Sequence, residues 1–89
     1  MSTVEILISG KVQGVWFRAN TRKKALQLGL DGTVENLPDG RVRIFVSGKQ
    51  EELSVFTNWC HQGEPPAVVE KVEVNKKPDQ SMDGFSIIH

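Results

Sequence analysis

The segment Gly10-Lys-Val-Gln-Gly-Val-Trp-Phe-Arg18 carries the most legible chemistry in this chain. It holds two glycines, no acidic residue, and an arginine at its end. Glycine adopts the positive φ that other residues avoid, which lets successive backbone N–H groups turn toward one point. A helix N-terminus adds partial positive charge to such a loop, and a guanidinium adds a planar fork suited to phosphate oxygens. The surrounding charge has the same sign. From Ile6 to Leu30 stand Lys11, Arg18, Arg22, Lys23 and Lys24, with no Asp or Glu. These features describe a cradle for a small anion, above all a phosphoryl group. Arg22, Lys23 and Lys24, taken singly, read as a solvated helix face.

Elements must position these residues. Thr3 to Ser9 alternates, with Ile6 and Ile8 on one side and Glu5, Leu7 and Ser9 on the other, which is the period of a strand. Phe17, Thr21, Ala25 and Leu28 recur at helical spacing, and Gly29 stands where that helix would stop. Gly32 to Asn36 reads as a short strand. Leu37-Pro-Asp-Gly40 is a turn: proline fixes φ, Asp bonds nearby backbone, and Gly takes the left-handed position. Arg41 to Ser47 alternates again and completes a hairpin. Lys49 to about His61 is a second helix, with Leu53, Phe56 and Cys60 on one stripe and Trp59 beside it, broken by Gly63-Glu-Pro-Pro66. Val68 to Val74 is a further strand with Val68, Val72 and Val74 on one face, and Phe85 to Ile88 is a short last one.

The order β-α-β-β-α-β plus a terminal strand predicts an α+β, ferredoxin-like two-layer sandwich. Both helices cover one face of an antiparallel sheet, through right-handed crossovers. The first strand and Val68–Val74 are expected at or near the sheet centre. No repeat, linker or low-complexity tract divides the chain, so residues 1–89 read as a single domain.

In that topology the loop after the first strand and the end of the second strand lie at the same end of the sheet. Arg18 and Asn36 can therefore converge. Alternation puts Gly32, Val34 and Asn36 on one face, with Thr33 and Glu35 opposite. Phosphoryl transfer demands positioning and charge stabilisation more than covalent work from the protein. A cradle and an arginine would hold the phosphate oxygens, and the Asn36 amide would fix an attacking water. A leaving group that is already a stable anion, such as a carboxylate, needs no general acid, which favours acyl phosphates over ordinary phosphate esters. Spacing alone leaves plainer readings open: two glycines after a strand also make a simple turn, and Asn before Leu-Pro-Asp-Gly is a common turn residue.

Composition restricts the alternatives. The chain has 38% hydrophobic and 25% charged residues and a formal net charge of +0, so it reads as globular and soluble rather than as a dedicated nucleic-acid binder. No apolar run approaches the ~20 residues of a membrane span, and Met-Ser-Thr-Val-Glu lacks the pattern of a secretory signal, which points to the cytoplasm. The single cysteine, Cys60, excludes an internal disulfide and reads as a buried, inert thiol. His61 and His89 read as a helix-end and a terminal residue rather than as catalysts. No His-x-x-x-His, EF-hand loop or carboxylate cluster suggests a metal, and Gly10-x-x-x-Gly14 lacks the Gly-Lys-Ser/Thr of an ATP loop. Two other classes share the scaffold: a non-catalytic anion-binding module, and an RNA-binding sheet. The latter needs stacking aromatics, and the central strands offer only Phe45.

The motif Gly10-x-Val-Gln-Gly-Val-x-Phe-Arg18, followed by Gly32-x-Val-x-Asn36-x-x-Asp-Gly40, resembles acylphosphatase. The likeness extends through Ala25, Leu28-Gly29-Leu30, Ser47-Gly48, the helix around Trp59, and Gly63 to Val72. It implies a ferredoxin-like fold and hydrolysis of the carboxyl–phosphate bond of small-molecule acyl phosphates, without metal or cofactor. It implies a phosphate cradle at Gln13, Gly14, Val15, Trp16, Phe17 and Arg18, with Arg18 the essential phosphate ligand and Asn36 orienting the nucleophilic water. It also implies a monomer, with phosphate or sulfate acting as inhibitory anions. Thr33, Glu35 and Leu37 depart from common members, and Trp16 is bulky for its place. By alternation Glu35 is expected to point away from Asn36.

Overall fold

The computed structural model describes residues 1–89. The elements are β1 (Ser2–Lys11), α1 (Phe17–Gln27), β2 (Asp31–Asn36), β3 (Val42–Gly48), α2 (Gln50–Gln62), β4 (Val68–Lys77) and β5 (Phe85–Ile88). They form one five-stranded sheet in the order β4-β1-β3-β2-β5. Each helical crossover skips one strand: β1 and β2 flank β3, and β3 and β4 flank β1. This is the split β-α-β arrangement expected from the element order. Helix α1 packs over β2 and β5, and α2 over β4 and β3, on one face of the sheet.

Three expectations need correction. The sheet is mixed, because β5 pairs parallel with β2 while the other pairings are antiparallel. β5 extends the sheet beyond β2, on the side away from β4. Second, β4 is an edge strand paired only with β1, and β3 holds the middle. The crossover from β3 through α2 must clear β1, which carries β4 to the margin. Third, Val68 does not share a face with Val72 and Val74. A bulge between Ser9 and Gly10 sets Lys71 opposite Ser9 but Val69 opposite Gly10. The extra residue flips the alternation, so Val69 packs against the core and Val68 is exposed.

The core lies between the sheet and the helices. Ile6, Ile8, Val34, Val42, Ile44 and Val46 supply the sheet side, and Phe17, Ala25, Leu53, Phe56 and Cys60 the helix side. Trp59 of α2 stacks on Phe17 at 5.8 Å and on Phe56 at 6.1 Å between ring centroids. This aromatic contact anchors the first residue of α1, and Arg18 follows directly. On the opposite face, segment 78–84 crosses from β4 to β5: the Gln80 N–H donates to Thr3 Oγ1 (3.1 Å), and Thr3 Oγ1 donates to Ser47 Oγ (3.0 Å). No helix is long and apolar enough to cross a membrane.

Candidate active site

Residues 12–16 turn the chain from β1 into α1. Val12, Val15 and Phe17 are buried, while Gly14 and Trp16 between them are exposed. Apolar side chains thus pin alternate residues to the core and leave the intervening backbone at the surface. Gly14 (φ 72°) and Trp16 (φ 65°, ψ 14°) are both left-handed, on either side of Val15. A change of hand between adjacent residues is the backbone geometry in which neighbouring N–H groups can turn to one side. Trp16 is the chain's single non-glycine residue at positive φ, a costly conformation for a bulky side chain. Helix α1 has no side-chain cap and no acid in its first turn, so no side chain satisfies its leading N–H donors. Gly10 plays no part in this loop. It lies in β1 at the bulge, where a Cβ would run into the Val68 carbonyl oxygen.

Both ends of the loop are fastened beside the C-terminal end of β2, one to the turn that follows it and the other to β5. The Gln13 carboxamide donates to the carbonyls of Leu37 (2.8 Å) and Arg41 (2.9 Å), the two residues that close the 37–41 turn. Arg18 Nη1 donates to the Ile88 carbonyl at 3.3 Å, and Ile88 pairs with Glu35, the neighbour of Asn36. Gln13, Arg18 and Asn36 are thereby gathered at one end of the sheet. Neither tether was legible in the sequence. Gln13 carries no signal that its side chain reaches a turn, and the Ile88 contact depends on the parallel pairing of β5.

Asn36 closes β2 on the helix-covered face, in line with buried Val34. Its Oδ1 is buried and has no hydrogen-bond partner. A buried, unsatisfied amide oxygen carries a desolvation cost and calls for a donor. Glu35 points to the other face, where it forms an ion pair with Arg43, whose guanidinium lies 5.4 Å from the Phe45 ring centroid. The charge that departs from the common pattern is thus neutralised away from Asn36. Asp39 is exposed, and the Arg41 backbone N–H, followed by the Arg41 guanidinium, holds its carboxyl below the usual carboxylate range.

A groove of about 360 Å³ adjoins the loop, bordered by Gly14, Trp16, Arg18 and Ala19 and by Ile87 and His89 at the end of the chain. Arg22 is more than a solvated helix residue, since its Nε donates to the Phe85 carbonyl at 2.8 Å and ties α1 to β5. His61 Nδ1 lies 3.0 Å from the Thr57 carbonyl, remote from the loop on α2. No three His, Cys, Asp or Glu side chains come together as a metal site.

The acylphosphatase family model matches residues 4–87. The chain belongs to the acylphosphatase family. An acylphosphatase of Marinobacter nauticus is 47% identical over 85 residues, spanning 94% of this chain and 92% of that one. An acylphosphatase of Thermus thermophilus is 45% identical over 87 residues, spanning 98% and 99% respectively. The acylphosphatase crystal structure from Bacillus subtilis superposes with a TM-score of 0.96 at 32% identity, over all of both chains. The activity is that of the acylphosphatase family, hydrolysis of the carboxyl–phosphate bond of small-molecule acyl phosphates.

Proposed function

We propose that the Gln13–Arg18 segment binds the phosphoryl group and that Asn36 directs water at phosphorus. Val15, Trp16, Phe17 and Arg18 contribute backbone N–H groups, Gly14 permits the turn, and the Gln13 side chain holds the loop against the 37–41 turn. Arg18 adds its guanidinium, of which one donor is held by Ile88 and the rest remain available to phosphate oxygens. The Asn36 carboxamide orients the attacking water through a hydrogen bond.

The reaction then balances without a protein base. Water oxygen forms a bond to phosphorus, the bond from phosphorus to the acyl oxygen breaks, and its electron pair leaves on the carboxylate. The water proton passes to a phosphate oxygen, so an acyl phosphate dianion gives a carboxylate and dihydrogen phosphate. Backbone donors held by the fold act as a preorganised electrostatic site, which spares reorganisation during the reaction. The observation that carries this reading is the placement of the left-handed Gly14–Trp16 loop, Arg18 and Asn36 at one end of the sheet, through the Gln13 tether to the 37–41 turn and the Arg18 tether to Ile88, the partner of Glu35.

The same cradle should bind free phosphate or sulfate as inhibitory anions, and we read the protein as a cytoplasmic monomer that needs no metal. Steady-state hydrolysis of benzoyl phosphate, with and without chelator, tests the reading. Wild type should turn over equally in both. Arg18→Ala should lose on the order of 10²–10³ in rate, the effect of removing one preorganised donor in other hydrolases. An Arg18→Ala protein as fast as wild type would remove Arg18 from the site. Phosphate binding without turnover would make the chain a non-catalytic anion-binding module.

A further inference from the structure

The Trp16 side chain is the largest exposed apolar surface beside the loop, at 77% exposure. Tryptophan is seldom left so bare, and here the left-handed backbone holds it out despite the conformational cost. It borders the groove shared with Gly14 and Arg18, so the apolar wall and the anion-binding residues are continuous. Ile87 and Ala19 add further apolar lining. The groove's volume of about 360 Å³ falls at the small end of the ~300–1,000 Å³ typical of small-molecule sites. No acidic side chain borders it.

Resting on the proposed cradle, we infer that this groove is the acyl subsite and that Trp16 selects flat, apolar acyl groups. The backbone of Trp16 serves the phosphate, while its indole lies over the acyl portion of the same substrate. An aryl group offers a face for stacking and apolar area to bury, whereas an acetyl group offers neither to a comparable extent. The residue thus sets which acyl phosphate is used, separately from the chemistry at phosphorus.

The test compares kcat/KM for benzoyl phosphate and acetyl phosphate in wild type, Trp16→Asn and Trp16→Phe. Asparagine tolerates the left-handed conformation but removes the aromatic face, and phenylalanine keeps a face. The intrinsic reactivities of the two substrates cancel when variant selectivity is divided by wild-type selectivity. Trp16→Asn should lower the benzoyl-to-acetyl preference about tenfold, mainly through KM, and Trp16→Phe should restore most of it. A preference within about twofold of wild type in Trp16→Asn overturns the subsite. Titration with phenylphosphonate and methylphosphonate separates this from failure of the catalytic reading. Tighter phenylphosphonate binding that depends on Trp16 upholds the subsite even in a protein without turnover. Equal binding of the two by wild type overturns the subsite even in a protein that hydrolyses both acyl phosphates.

Discussion

At the scale of single residues, the proposed site divides the work between Asn36 and Arg18. In that proposal Arg18 meets charge already present on the bound phosphate, and Asn36 meets a water that matters only as the bond to phosphorus forms. Asn36→Ala should therefore lower kcat by on the order of 10²-fold and change the inhibition constant of phosphate by less than about threefold. Product-inhibition kinetics check both numbers together, and equal losses in kcat and phosphate affinity would make Asn36 a binding group. The convergence of these two residues could be anticipated from the sequence, because β1 and β2 run in the same direction in a split β-α-β sheet. What could not be anticipated was how it is held. The Gln13 carboxamide spans to carbonyls of a turn far along the chain, and only folded coordinates reveal such a reach.

At the scale of elements, the two glycines of the motif separate. Gly14 stands at φ 72° with open space where a Cβ would go, so Gly14→Ala costs only the left-handed strain, ~1–2 kcal/mol. Gly10→Ala meets strain as well as the Val68 carbonyl oxygen and the Glu70 backbone nitrogen. Its loss should exceed that of Gly14→Ala by several kcal/mol, in the range of overpacked or strained core sites. Urea unfolding of the two variants checks this, and similar losses would place both glycines in one structural role. The motif's spacing cannot make this distinction, because it depends on the bulge against β4. The same bulge turned Val68 outward, and a period-2 reading has no means of locating an inserted residue. The helix stripes were legible because burial imposes them directly, whereas β1 runs on to Lys11 and β4 through polar residues to Lys77, beyond the ends that alternation marks. The edge position of β4 and the parallel pairing of β5 were not, since neither changes the hydrophobic pattern of its own strand.

At the scale of the whole molecule, one core holds both layers, and Cys60 reports on its dryness. Burial pushes its thiol from the ordinary 9.0 up to about 12. The unfolded chain therefore ionises this group at lower pH than the folded one. The associated stability is complete below pH 9 and is lost as pH rises toward 12. Between pH 8 and 10.5 wild type should lose about 2 kcal/mol more than Cys60→Ala, as read from urea midpoints. A parallel decline in both proteins would mean that the thiol is solvated.

The global claim is that the fold gathers main-chain donors of 15–18 around one tetrahedral anion at the C-terminal end of β2. Amide ¹H–¹⁵N spectra recorded during titration with inorganic phosphate test it most directly. The largest shifts should fall on the Gly14–Arg18 amides and the Asn36 carboxamide, and should disappear in Arg18→Ala. Saturable shifts confined to some other surface, or persisting unchanged without Arg18, would contradict the account.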